Sequence, residues 1–218
     1  MLELFAERKK RAARIVVILK KLFPKAKIAL NFSNNLELLV AVMLSAQCTD
    51  KKVNEVTEKL FKKYKALADY VKAKSLEFAK DIRPTGFFRN KTKNILATVK
   101  MVKEKFGGKI PRKMEEMLTL PGVARKTANI VLGNAYGVVE GVAVDTHVRR
   151  LSRKLGLTDH DDPVKIEQDL MKLLPKSEWF RFPYLMQAYG RAICPARKHD
   201  CANHPLTKLY PPAANRWP

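Results

Sequence analysis

The stretch LELLVAVMLSA, Leu36–Ala46, constrains the fold more than any other part of the chain. It is apolar almost all round, and a helix without a polar face must be surrounded by other elements, so it is expected as a central buried helix. Nearly everything around it carries helical periodicity and almost nothing alternates as a strand does. Helices are expected at about 3–22, 35–47, 50–64, 66–72, 75–82, 88–106, 113–119, 125–136, 146–155, 163–174 and 180–193. Asn34 or Asn35 can cap the second, Asp162–Pro163 is a cap followed by a first-turn proline, and Pro111 is expected to open a helix in the same way. After Leu209 the sequence YPPAANRWP reads as an irregular tail. There is no long linker, low-complexity segment or solenoid repeat.

Of the 218 residues, 43 are Lys or Arg and 21 are Asp or Glu, a formal charge of +22. A soluble chain this basic calls for a polyanionic partner, unless the charge only reflects a basic proteome or serves solubility. Nucleic acid fits better than a membrane surface, because no basic helix carries an exposed Trp/Phe face. No apolar run reaches the ~20 residues of a membrane span. The basic, amphipathic N-terminus contains Glu3 and Glu7, unlike a transit peptide, and has no signal cleavage site, so it reads as the first helix. Three cysteines are too few for a disulfide framework, which suits a reducing compartment. A cytoplasmic, nucleoid-associated location and a monomeric state are expected.

The stretch EEMLTLPGVARKTANIVLGNAYG, Glu115–Gly137, carries the most chemistry. A short apolar helix ends at Leu120, Pro121–Gly122 turns, and a second helix starts near Arg125. Gly122 permits a sharp turn and close approach of a partner. The new helix begins with unpaired N–H groups and a partial positive charge, a phosphate seat that ignores base identity. The same turn could simply join two core helices. Lys126 stands at that helix start beside Arg125, where its charged form is expected to be disfavoured, and a neutral lysine can form a Schiff base with a sugar aldehyde carbon. It could equally be one more phosphate-contacting lysine. Asp145, in GVAVDTHVRRLSRK, precedes a helix bearing Arg149, Arg150, Arg153 and Lys154. It could stabilise an oxocarbenium-like sugar or help deprotonate a lysine, or it could only cap its helix.

LPGVARKTAN, with VAVDTH downstream and LSAQCTD upstream, resembles the endonuclease III branch of the helix-hairpin-helix DNA glycosylases. The resemblance runs from about Leu36 to about Tyr210, with the three motifs in family order. It implies an all-α, two-lobed fold with DNA bound across the cleft. One lobe, 28–138, is a six-helix domain containing the hairpin. The other joins 1–27 to 139–218. The family's catalytic lysine falls on Lys126 and its aspartate on Asp145. The lysine attacks the anomeric carbon of a flipped nucleoside, expels the base and drives β-elimination of the 3′ phosphate, and the substrates are oxidised or ring-saturated pyrimidines in duplex DNA. The resemblance also implies DNA contacts from Gly122, Val123, Ala124, Arg125, Thr127 and His147. It implies that Gln47 enters the gap left by the flipped base and that Phe87, where the family usually has Leu, wedges the opposite strand. Without it, Gln47 would read as a helix cap and Phe87 as a core residue. Ala124 departs from the more usual second glycine of the hairpin.

The family also carries a four-cysteine [4Fe–4S] loop spaced C-x6-C-x2-C-x5-C. Here those positions are Cys194, Cys201, His204 and Tyr210, within CPARKHDCANHPLTKLY. Clusters favour thiolates, so the reading is a lost cluster and no cofactor. Zinc on Cys194, Cys201 and His204 would lack a fourth protein ligand. Arg197 and Lys198 remain available for phosphate. A relative acting on mismatched thymine or pyrimidine dimers is a second enzyme reading, and a non-catalytic hairpin DNA-binding module is a third. The adenine-mismatch branch usually lacks the lysine. The pair Lys126 and Asp145 argues against pure binding, which needs neither.

Overall fold

The structure is a computed structural model and describes residues 5–216. The described residues are helical or irregular, with no strand. The chain divides into two compact units, one of residues 29–140 and one joining the N-terminal segment through Ile28 to the chain from Gly141 onward.

In the 29–140 unit, helix α2 (Asn35–Leu44) is the buried centre, with every side chain from Leu38 to Leu44 buried. Asn34 caps it, its Oδ1 accepting from the Glu37 amide at 3.0 Å, while Glu37 Oε2 accepts from the Ser33 amide at 2.6 Å. Helix α2 packs against α3 (Asp50–Lys63), α6 (Phe88–Lys105) and α8 (Arg125–Tyr136). Helices α4 (Leu67–Lys72), α5 (Ser75–Ile82) and α7 (Met114–Leu118) complete the unit. Tyr64, Tyr70 and Phe78 pack as an aromatic trio at centroid distances of 5.2–6.0 Å. Each fully buried large apolar side chain of this core contributes about 1.5–3 kcal/mol.

In the other unit, α1 (Phe5–Leu22) buries Ile15 and Leu19 against α10 (Pro163–Leu173) and α12 (Phe182–Ala192), and α12 also packs on α9 (Thr146–Lys154). Asp162 caps α10, accepting from the Val164 and Lys165 amides at 3.0 Å, with Pro163 in the first turn.

Several boundaries differ from the expectations. Residues 3 and 4 of the first expected helix lie outside the described residues, as do Trp217 and Pro218 of the tail. Helix α2 ends at Leu44, not 47, because Ser45 closes it: its amide bonds the Ala41 and Val42 carbonyls and its hydroxyl the latter again. Pro111 lies ahead of α7, whose N-cap is Lys113. The expected 180–193 helix is preceded by a separate turn, α11 (Lys176–Trp179), and α12 starts afresh with Pro183 in its first turn. Proline opens two elements the periodicity missed, α13 (Pro205–Leu209) and a 3₁₀ turn over Pro211–Asn215. No helix of the described residues is long and apolar enough to cross a membrane.

Candidate active site and nucleic-acid interface

The hairpin is built as a turn pinned from beneath. Gly122 has φ +74°, and a Cβ there would come within 2.7–2.9 Å of Asn94 side-chain atoms. Thr98 Oγ1 on the same helix donates to the Pro121 carbonyl at 2.8 Å. Val123 turns its side chain into the core, and its amide donates to the Leu120 carbonyl at 3.1 Å, so neither is free for a ligand. Helix α8 then starts from Ala124, whose side chain cannot cap. The first-turn amides, at Arg125, Lys126 and Thr127, therefore have no side-chain cap and no intrahelical acceptor. The guanidinium of Arg125 reaches the Glu140 carbonyl at 3.4 Å. Lys126 is exposed, and its Nζ has no hydrogen bond or ion pair among the described residues.

Two more residues of this unit are held by their backbones. Gln47 (φ +52°) and Phe87 (φ +47°) are the non-glycine residues with positive φ among those described. Such conformations cost about 1–3 kcal/mol each and persist where surrounding structure enforces them. Gln47 caps neither neighbouring helix, since Ser45 ends α2 and Thr49 opens α3. Phe87 is 62% exposed, not a core residue. Together with Met43, Asn90, Lys91 and Asn94 they line a pocket of about 170 Å³ that Gly122 also borders.

Lys91 explains how both are held, and nothing in the sequence singled it out. It is 7% exposed, and its Nζ donates to the Leu44 and Thr85 carbonyls, both at 2.8 Å. Those carbonyls end α2 and the 3₁₀ turn Arg83–Thr85, the elements that lead into Gln47 and Phe87. Burial pushes the Lys91 ammonium below the usual lysine range.

Asp145 belongs to the other unit. It is half-buried and caps α9, Oδ1 accepting from the Val148 amide at 2.8 Å. The capping role is thus real, and it leaves Oδ2 without a hydrogen bond among the described residues. The basic neighbourhood expected around it is not what the helix provides. Arg149 and Arg153 pair with Asp161, Arg150 is buried with Nη2 on the Cys194 carbonyl at 2.6 Å, and Lys154 donates to the Arg216 carbonyl at 2.9 Å. His147 is half-buried against α12, where a Cβ on Gly190 would collide with its Nδ1.

In the C-terminal loop the four family positions separate. Cys194 is buried, with Arg150 Nη1 donating toward its Sγ at 3.8 Å. The Cys201 thiol is also buried but donates to the Ala214 carbonyl at 3.8 Å. Tyr210 lies beneath the Arg11 guanidinium, 4.1 Å from ring centroid, with Arg216 at 5.5 Å. Gly156 (φ +63°) makes room for it, since a Cβ there would stand 2.8 Å from the phenol oxygen, and Arg11 Nη2 donates to the Gly156 carbonyl at 2.5 Å. His204 instead stacks on His199, ring centroids 5.1 Å apart, and burial, with the nearby His199 ring, pushes its imidazole below the ordinary histidine value. One ligand atom each from Cys194, His199 and His204 lie within 4.8 Å of one another, a group that could hold a metal ion. Arg197 and Lys198, between these side chains, are exposed.

Residues 40–176 match the HhH-GPD superfamily base excision DNA repair protein family. Endonuclease III of Synechocystis sp. is 49% identical over 98% of this chain and 97% of its own length, and Endonuclease III of Bacillus subtilis is 46% identical over 86% of each. The chain belongs to the endonuclease III family. Among solved structures, a non-covalent Endonuclease III–DNA complex and a trapped Endonuclease III–DNA covalent intermediate each align at TM-score 0.91 and 41% identity over 99% of both chains. A thermostable thymine-DNA glycosylase, 24% identical with a TM-score of 0.78, shares the fold. For an endonuclease III family member the donor set of the C-terminal loop is unusual: one thiol and two imidazoles converge, which is not the four-thiolate set of a cubane cluster. The sequence reading gave this loop no metal, and His199 was outside the positions it weighed.

Proposed function

We propose that this protein is a base-excision DNA glycosylase with lyase activity on oxidised or ring-saturated pyrimidines in duplex DNA, working on the cytoplasmic nucleoid. The observation that carries the reading is Lys126: an exposed amine with no internal partner, in the first turn of a helix without a side-chain cap, one turn beyond the Gly122 bend. Its support from relatives is the trapped covalent intermediate of an Endonuclease III 41% identical over 99% of this chain.

In this reading the amides and cations of the hairpin seat the backbone phosphates without reading bases. Gln47 fills the gap left by an extruded nucleotide, and Phe87 wedges the opposite strand, both presented by strained turns. The Lys126 amine attacks C1′, the C1′–N bond breaks, and the departing base takes a proton from solvent. Asp145 stabilises the positive charge that develops on the sugar and takes up the proton that the amine loses. The C1′–O4′ bond then breaks, O4′ taking up the proton that Asp145 received, and leaves an open-chain iminium between Lys126 and C1′. Loss of a C2′ proton from it expels the 3′ phosphate, and water adding to C1′ releases the enzyme.

Borohydride should trap the wild-type protein on abasic duplex DNA as a stable adduct. Lys126→Gln should abolish both adduct and strand cleavage while still binding DNA. Asp145→Asn should slow base removal more than cleavage of a preformed abasic site, where no glycosidic bond remains. Normal trapping by Lys126→Gln would sink the mechanism.

A further inference from the structure

We infer that Cys194, His199 and His204 form a mononuclear zinc site that staples the C-terminal loop. Their donor atoms already lie within 4.8 Å of one another. Tetrahedral zinc, with bonds of ~2.0–2.3 Å, sets such atoms about 3.3–3.6 Å apart, so side-chain rotations of about an ångström close the site. One sulfur and two imidazole nitrogens match the ligand types zinc selects.

Three features prepare these side chains. His199 Nδ1 lies 2.8 Å from the Arg197 carbonyl, and a neutral imidazole donating there keeps its lone pair on Nε2. Metal-bound histidines are commonly oriented by a carbonyl in this way. His204 Nδ1 is buried without a hydrogen-bond partner, an orphan that an ion at this point would satisfy. Cys194 Sγ faces a donor, Arg150 Nη1 at 3.8 Å, and so presents itself as an acceptor. On binding, the Cys194 thiol gives its proton to solvent and the sulfur takes the metal. The fourth position is left to water, so this is an open site with three protein ligands, as the Cys194, Cys201 and His204 set would also have been. What favours it over that set is the convergence of its donor atoms and not a fuller shell.

The site differs from the family's cluster pattern in a way that can be tested. His199 lies between the first and second cluster positions and belongs to neither, whereas Cys201 is a cluster position whose thiol is turned to Ala214. A site inherited from the cluster pattern would need Cys201 and ignore His199. This site needs His199 and ignores Cys201.

The test uses the full chain, stripped with chelator under reducing conditions and titrated with cobalt(II), then with zinc(II). One equivalent of cobalt should give the visible ligand-field bands of a tetrahedral ion and a thiolate-to-cobalt charge-transfer band, and zinc should bleach both. Zinc should also raise the melting temperature. His199→Ala should weaken cobalt binding at least tenfold and remove the zinc-dependent shift. Cys201→Ser should leave both unchanged. Far-UV circular dichroism checks that each variant is folded, and His199→Asn, closer in size, replaces His199→Ala if that protein is not. No binding by the wild type, binding unchanged in the folded His199 variant, or loss of binding in folded Cys201→Ser would each overturn the proposal. So would several irons per chain with acid-labile sulfide in the purified protein. None of these readouts depends on Lys126, so failure here is separable from failure of the proposed activity.

Discussion

The turns of the 29–140 unit and the C-terminal loop present side chains by opposite means. Around Gln47, Phe87 and Gly122 the backbone is the instrument: three positive-φ residues, all exposed, are fixed by contacts made beneath them by Asn94, Thr98 and Lys91. Around Cys194–Tyr210 the side chains are the instrument: a buried thiol, stacked imidazoles and a phenol under a guanidinium hold a loop whose cations point outward. Groups presented by a forced backbone keep their side chains available for a partner, while groups that hold a loop are themselves consumed. If the contrast is sound, backbone changes should damage the first region most and side-chain changes the second.

Gly122→Val should have the largest effect. The new side chain meets Asn94, including its Cβ at 2.8 Å, and the φ of +74° is unfavourable for a β-branched residue. Strain and overpacking together should cost about 2–5 kcal/mol. Calorimetric melting should fall by several degrees, and affinity for damaged and undamaged duplexes should drop together. A wild-type melting curve with reduced DNA binding would instead mean that Gly122 serves only close approach to the backbone.

Lys91→Met comes next. It leaves two buried carbonyls without their donor, about 1–3 kcal/mol of unsatisfied polar burial. Because those carbonyls lead into Gln47 and Phe87, affinity for a duplex with an abasic site should fall more than affinity for intact duplex. Equal losses on both DNAs would make Lys91 a purely structural residue and weaken the contrast.

What the sequence disclosed follows the same division. The hairpin was legible because Leu-Pro-Gly announces a turn locally, and the buried α2 because nine apolar residues in the eleven positions of Leu36–Ala46 leave no other place for it. The conformations of Gln47 and Phe87 were not, since only glycine advertises positive φ. Nor was Lys91: its partners are 47 and 6 residues away, and a lysine in a chain of +22 looks like surface. Near Asp145 the sequence overstated the local field, because charges adjacent in sequence turn to separate partners, Asp161 and two carbonyls. His199 was missed because the cluster spacing directs attention to the residues at its ends and not to the one a folded loop brings between them.

Tyr210→Ala should act on the second region through stability alone. It removes the ring under Arg11 and opens space beside Gly156, a loss of about 1–2 kcal/mol for a partly desolvated cation–π contact. Denaturant unfolding should show the change, and trapping on abasic DNA at a temperature where the variant stays folded should not. A trapping defect in the folded variant would mean that this phenol does more than fill the fourth family position.

Arg197→Ala should be the smallest effect and the most specific. Arg197 is exposed, and its carbonyl, not its guanidinium, orients His199. Truncation should therefore leave the melting temperature and the cobalt spectrum as they are. If the guanidinium meets a phosphate, removing it takes away one counterion-releasing contact, so the slope of log affinity against log salt should flatten by about one. Phosphate contacts carry no base identity, so the loss should be the same on damaged and intact duplex. An unchanged slope would mean that the loop is held in place without touching the backbone, and its side-chain scaffold would then need another purpose. A flattened slope together with an intact metal spectrum would separate the two jobs within one short loop, its buried donors holding the shape and its exposed cations holding the DNA.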